Sequence, residues 1–276
     1  MLGFDPFVTS PILGSLPAED TLATFGGQPI RVKDALDPRN TLLTKANAAT
    51  LCPKGVLILN DINDLNSETA SALKTPGTIG AILFLEGQEW DSIASAVESF
   101  YGQRPLRTLD SEATMGRRPA FIYQPSKSEL SNIALRVLGP LSDSGFAEVH
   151  SLSALRIATL SQKIAEFLSS VTGQKSALVL DTNWSTGSFP HVHSWSLAAS
   201  LGFNVSGTQL LHRDGTLIRT PHNCLVISNP RYDLNKPVAE NNYGLIHRRS
   251  PDNDPLFPHG NRSKLTLVAV SDFSLT

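Results

Sequence analysis

The sequence predicts an α+β protein with a mostly β core. From Ala177 to Phe273 the chain is a series of short apolar or alternating runs separated by Asp-Gly, Asn-Pro and Pro, which is typical of antiparallel strands. Upstream, apolar residues recur at helical spacing from Ser153 to Val171, and Gly173 ends that pattern. We therefore expect helices packed on one side of a β core.

Composition limits the kind of protein and its partners. The 276 residues, 41% of them hydrophobic, are enough for one large domain with its own core. A net charge of −2 argues against nucleic-acid or membrane-surface partners. Cys52 and Cys224 are too few for a disulfide framework, and no signal-peptide pattern or membrane-length apolar run is present. A cytoplasmic location is the expectation; the oligomeric state is left open.

The chain divides by pattern into an arm and a folded domain. Residues 1–50 are rich in Pro, Gly and Thr and have no sustained period, so we expect an irregular N-terminal arm that packs over the core. The domain covers 51–276, with a helical preface at 51–175 and a barrel at 176–273. In the preface we predict strands at Gly55–Asp61 and Ala81–Leu85 and helices at Asn66–Lys74 and Glu89–Tyr101.

The strongest turn signal is Asp214-Gly215, which lies between Leu210-Leu211 and Leu217-Ile218. Both turn residues tolerate the positive φ that tight hairpins require, so a β-hairpin is predicted here. The same stretch contains a His-x-Asp motif, His212 and Asp214, which could form a metal site with His259. We rank that site lower, because Asp214 is needed in the turn.

The segment with the clearest potential for chemistry is Pro190-His191-Val192-His193. In a strand, residues i and i+2 point to the same face, so His191 and His193 project together. Joined by a third imidazole from elsewhere in the sheet, they would suit iron, copper or zinc. With seven histidines in the chain, a chance His-x-His on the surface is the simpler explanation of the pair alone.

The order of motifs around this pair resembles the isopenicillin-N-synthase-like family of non-haem iron oxygenases and oxidases, most of which depend on 2-oxoglutarate. That family shows His-x-Asp, Gly-Leu-Gln, Asp-Gly, Pro, a strand, Tyr, His-Arg and Arg-x-Ser in this order. The corresponding residues here are His191-x-His193, Gly207-x-Gln209, Asp214-Gly215, Pro221, Tyr243, His247-Arg248 and Arg262. The resemblance implies a double-stranded β-helix (jelly-roll, cupin-like) with flanking helices.

The resemblance also implies a metal site with one departure. His191 matches the first iron histidine and His247 the second, 56 positions later, but His193 stands where the family has its carboxylate. An imidazole there leaves the site one negative charge short. Three outcomes stay open: a three-histidine iron centre, a preference for copper or zinc, or loss of the metal.

Two further departures concern the cosubstrate. Arg262 matches the arginine that grips a carboxylate, but Lys264 replaces the serine of Arg-x-Ser, which puts 2-oxoglutarate in question. Asn183 stands where a strand-borne asparagine helps to bind the cosubstrate. The loop 249–260 is longer than in the family, and we expect its Asp252, Asp254 and His259 to face solvent.

The resemblance therefore implies a mononuclear non-haem metal enzyme, with Fe(II) as the first choice, that uses O₂ on a small organic substrate. Hydroxylation, desaturation or ring formation in specialised biosynthesis is the expected chemistry. The alternative is a metal-free barrel that binds a small molecule or templates a non-redox cyclisation. His193, Lys264 and the atypical Ser228-Asn229-Pro230-Arg231 favour that alternative.

Overall fold

The computed structural model describes residues 21–22, 24–25, 28–102, 121–125, 127, 132–181, 189–193, 196–230, 244–257 and 265–272. The helices are α1 (Ala48–Leu51), α2 (Ser67–Leu73), α3 (Gln88–Tyr101), α4 (Ile133–Asp143), α5 (Phe146–Val149) and α6 (Ser151–Thr172), with 3₁₀ turns at Pro38–Thr41 and Ile62–Asp64. The strands are β1 (Thr21–Leu22), β2 (Thr24–Phe25), β3 (Gln28–Pro29), β4 (Val56–Leu59), β5 (Gly80–Phe84), β6 (Phe121–Tyr123), β7 (Ser176–Asp181), β8 (His191–Val192), β9 (Ser196–Gly202), β10 (Thr208–Leu211), β11 (Leu217–Arg219), β12 (Cys224–Ser228), β13 (His247–Arg249) and β14 (Thr266–Asp272).

Two sheets form the β core. The larger has the strand order β4-β5-β12-β9-β14-β7-β6 and the smaller the order β1-β8-β13-β10-β11. From β7 to β14 the chain passes back and forth between the two sheets, apart from the β10–β11 hairpin, and neighbouring strands of this segment are antiparallel. This is the strand order of a double-stranded β-helix, so the predicted fold class is confirmed.

The large sheet is apolar on both faces. In β5 and β12, one alternate set of side chains packs with the helices, as Leu83 and Leu225 do, while the other packs towards the smaller sheet, as Ile82 and Val226 do. Such strands appear as continuous apolar runs because both faces are buried. Helix α6 contacts β7, β9 and β14 and forms the centre of the helical layer.

Most of the predicted elements lie where the sequence places them. Asn66 caps α2 by accepting hydrogen bonds from the backbone N–H groups of Glu68 and Thr69, and Gly173 ends α6 in the left-handed conformation with φ +73°. Helices α4 and α5 are absent from the sequence-based prediction. Among the residues described, no helix is long and apolar enough to cross a membrane.

The described part of the N-terminal arm, from Thr21 onwards, pairs with the smaller sheet at both of its edges. Lys33 bridges Thr216, and Leu42 bridges Arg219 at the edge strand β11. The predicted hairpin is present, with Leu211 paired to Leu217. At its turn, Gly215 has φ +88°, and a Cβ atom there would lie 2.0 Å from the carbonyl oxygen of Arg31. Glycine is therefore required both for the turn and for the close approach of the arm.

Candidate metal centre

Three histidines converge on the inner face of the smaller sheet. His191 in β8 and His247 in β13 are direct partners across these adjacent antiparallel strands, and His193 follows β8. One potential ligand atom from each residue lies within 4.8 Å of the other two. This is the one cluster of three or more potential metal-ligating His, Cys, Asp or Glu side chains within the described ranges.

The three rings form a compact group. Their centroids are 4.4 Å apart for His191 and His247, 4.9 Å for His193 and His247, and 5.4 Å for His191 and His193. His191 and His247 are buried, with exposures of 7% and 8%, whereas His193 is half-buried. The cluster therefore has two fixed members and one at its more accessible side.

Backbone hydrogen bonds fix the tautomers of the two buried histidines. Nδ1 of His191 lies 2.8 Å from the carbonyl oxygen of Phe189, and Nδ1 of His247 lies 2.8 Å from that of Leu245. A carbonyl oxygen only accepts, so Nδ1–H is the donor in both cases. In the neutral imidazole the lone pair is then on Nε2, which is the arrangement that metal-binding histidines adopt.

The environment also keeps His247 uncharged. Burial lowers the pKa of His247 well below its usual 6.5, and the neighbouring His191 and His193 lower it further, while the hydrogen bond to Leu245 opposes them. At neutral pH His247 is therefore the neutral imidazole. This is the protonation state that a metal ligand requires.

The donor set fits a borderline divalent metal. Metal–nitrogen bonds of about 2.0–2.1 Å hold two ligands of one ion about 3–3.5 Å apart, so small side-chain rotations from the observed spacing would bring the three nitrogens onto one ion. Imidazole suits iron, copper and zinc. All three side chains are imidazoles, and no carboxylate belongs to the cluster.

The other predicted site residues fall outside this cluster or outside the described residues. Asn183, Arg262 and Lys264 lie outside the described residues, as does His259. Nε2 of His212 lies 3.1 Å from the carbonyl oxygen of Leu51, so this histidine contacts the end of helix α1 and not the cluster. Asp214 accepts hydrogen bonds from the N–H and the hydroxyl of Thr216, which confirms its role in the turn.

One predicted solvent-facing residue is buried. Asp252 is 55% exposed and pairs with Arg249, as expected for a surface loop. The expectation was wrong for Asp254, whose side chain is 1% exposed and accepts from Nε of the equally buried Arg219 at 2.9 Å. No sequence signal marks this pair, because polar residues that alternate with apolar ones on a strand usually face water.

Comparison with known proteins gives structural likeness alone. No family model matches the sequence, and no curated protein does. A 2OG-Fe(II) oxygenase family protein from Caulobacter crescentus is 14% identical, with 80% of this chain and 88% of that chain covered and a TM-score of 0.35. The rice dioxygenase for auxin oxidation is 10% identical, with 79% and 83% covered and a TM-score of 0.37. JOX2, crystallised with 2OG, Fe and JA, is 12% identical, with 95% and 82% covered and a TM-score of 0.34.

The chain is similar to solved 2OG-Fe(II) oxygenases. The TM-scores are all below 0.4, so the assignment of the fold rests on the strand order of the two sheets.

Proposed function

We propose that this protein is a mononuclear metal-dependent oxidoreductase that acts on a small organic substrate with O₂. His191, His193 and His247 would hold the metal, with Fe(II) as the first candidate. The observation that carries the proposal is the convergence of three imidazoles, two of them oriented by backbone carbonyls, inside a double-stranded β-helix. Bound Fe(II) would supply the electrons that activate O₂.

The protein's own contribution is to hold an oriented set of imidazole donors. The carbonyls of Phe189 and Leu245 hold the two buried rings in one tautomer, and burial disfavours protonation of His247. Arg262 and Lys264 are proposed to bind a carboxylate of the substrate or of 2-oxoglutarate, with Asn183 assisting. Hydroxylation, desaturation or ring formation is the proposed reaction class, and the cytoplasm the proposed location.

The experiment is metal analysis of the purified protein before and after anaerobic loading with Fe(II). The expected result is about one metal ion per chain in the wild type and in His212→Ala, which removes a histidine outside the cluster. His193→Ala should lose the metal, since the substitution removes the third imidazole of the proposed ligand set.

The absence of metal from a folded, Fe(II)-loaded wild type would refute the proposal and leave a metal-free binding barrel. If the metal is retained, O₂ uptake with 2-oxoglutarate and other carboxylic acids identifies the cosubstrate. Arg262→Ala should then raise the carboxylate concentration needed for half-maximal uptake, because a bidentate charged contact is removed.

A further inference from the structure

The N-terminal arm is attached to both strands that carry buried histidines. At the edge of the smaller sheet, β1 pairs with β8 so that Leu22 lies opposite His191 and Thr21 opposite Val192. The first histidine strand is therefore an inner strand, covered on its outer edge by the arm. Backbone pairing at this position restrains the strand that bears His191.

A second attachment lies on the outer face of the same sheet. Asp34 of the arm accepts two hydrogen bonds from Arg219, at 2.7 Å to one terminal nitrogen and 2.5 Å to the other. The Arg219 side chain is 1% exposed, and its Nε donates to Asp254 at 2.9 Å. Arg219 thus joins a carboxylate of the arm to a carboxylate of the loop after β13.

Further hydrogen bonds connect this pair to the second histidine strand. Asp254 accepts from the side-chain amide of Gln209, and the Gln209 carbonyl accepts from Nε of Arg248 at 2.7 Å. Gln209 is the register partner of both Arg219 and Arg248 across β10. Because neighbouring residues of a strand point to opposite faces, Arg248 is held outside the sheet while His247 projects inside.

The network is balanced in charge. Two arginines, Arg219 and Arg248, lie close enough to repel each other, and Asp34 and Asp254 attract both. Loss of either carboxylate leaves an excess positive charge behind the sheet. The arginines would then separate, and Arg248 is directly attached to His247 in the chain.

We infer that the N-terminal arm is a positioning element of the metal centre, which it braces at β8 through β1 and at β13 through Asp34, Arg219 and Asp254. This inference rests on the proposed metal site. Because coupling between two sites is reciprocal, arm docking should strengthen metal binding, and metal binding should stabilise the docked arm. Asp34 acts here through other residues and contacts no metal ligand.

The first test compares Asp34→Asn with Asp37→Asn. Asp37, whose side chain is 45% exposed, belongs to the same arm segment and caps the turn at Pro38–Thr41, a role that asparagine retains, and its ion pair is with Arg39. We expect Asp34→Asn to raise the Kd for Zn(II) about fivefold, at the low end of typical coupling between sites. The visible absorption spectrum of the Co(II)-loaded protein should change in the same variant, because the ligand geometry relaxes. Asp37→Asn should leave both unchanged.

The reciprocal test is amide hydrogen exchange of the arm with and without Zn(II). The N–H of Lys33 donates to the carbonyl of Gly215 and that of Leu43 to the carbonyl of Arg219, both at 2.8 Å, so these two amides report docking. Zn(II) should slow their exchange in the wild type and less so in Asp34→Asn.

The two failures are distinguishable. A wild type that binds Zn(II) normally, with the same Kd and spectrum in Asp34→Asn and no change in arm exchange, overturns the inference and leaves the metal site standing. A wild type that binds no metal overturns both.

Discussion

The two carboxylates that bind Arg219 should differ sharply in their contribution to stability. Asp254 is 1% exposed, whereas the Asp34 side chain is 43% exposed. The substitutions Asp254→Asn and Asp34→Asn are each isosteric, and each removes one negatively charged partner of the Arg219 guanidinium. The two carboxylates share Arg219 as a partner but differ in burial and in the further donors from which Asp254 accepts.

The expected cost of Asp254→Asn follows from its contacts. The carboxylate accepts from Nε of Arg219, from the amide of Gln209 and from the backbone N–H of Leu256. An amide has one accepting oxygen, so at least one of these three donors loses its partner, and Arg219 loses its fully buried counter-charge. Breaking a buried pair in this way costs about 3–5 kcal/mol. Asp34→Asn should cost about 1 kcal/mol or less, because solvent screens the pair and Arg219 keeps Asp254 and Thr41.

Urea unfolding followed by tryptophan fluorescence measures both values. The reasoning holds if Asp254→Asn lowers the free energy of unfolding by at least about 2 kcal/mol more than Asp34→Asn does. Equal costs for the two variants would show that burial of the carboxylate does not control the strength of this network, and would refute the argument.

Three further predictions concern the arm, its charge and the cysteines. Gly215→Ala should destabilise the protein by about 1–3 kcal/mol in a thermal unfolding assay, because the φ of +88° and the nearby Arg31 carbonyl exclude a Cβ atom. The control is Gly139→Ala, in helix α4 with open space around it, which should stabilise the protein by about 0.5–1 kcal/mol in the same assay. Hydrogen bonding to Arg219 holds the pKa of Asp34 below its usual 3.8, so its contribution is present above pH 3.8 and is lost as the pH falls through the lower folded-state value. The difference in free energy of unfolding between wild type and Asp34→Asn should accordingly shrink as the pH falls below 3.8, and a constant difference would contradict this. Burial raises the pKa of the Cys52 thiol to about 12 and that of Cys224 further. A disulfide reagent at neutral pH should therefore label both thiols slowly in the native protein and rapidly in denaturant. Fast labelling of the native protein would contradict this and show that the Cys52 site is open.

Much of the fold could be predicted because its signals are local. The continuous apolar runs of β5 and β12, the Asp214-Gly215 turn and the helical period ending at Gly173 each depend on residues close in sequence. Helix α4 escaped prediction, since Gly139 and Pro140 interrupt its pattern and usually indicate a loop. The docked path of the arm depends on contacts with residues such as Arg219, almost 180 positions away, and no local pattern reports them.

The candidate site was predictable to the extent that it follows a motif. The order of His191, His193 and His247 placed all three in one proposed ligand set, and the structure brings them together. The network behind the sheet was not predictable in this way. Gln209, Arg219 and Asp254 have the polar character of surface residues, and their burial follows from the arm and the loop that cover them.

His191 and His247 are paired directly across two neighbouring strands, so the distance between them does not depend on the length of the chain that connects them. Residues directly opposite each other on antiparallel neighbours have Cα atoms about 4.5–5.5 Å apart, whatever the chain does between them. Insertions or deletions between the two histidines would therefore remodel the surroundings of the cluster without displacing either imidazole. The segments between the two histidines can therefore vary in length among relatives while the spacing of the two imidazoles is inherited unchanged from the β-sheet.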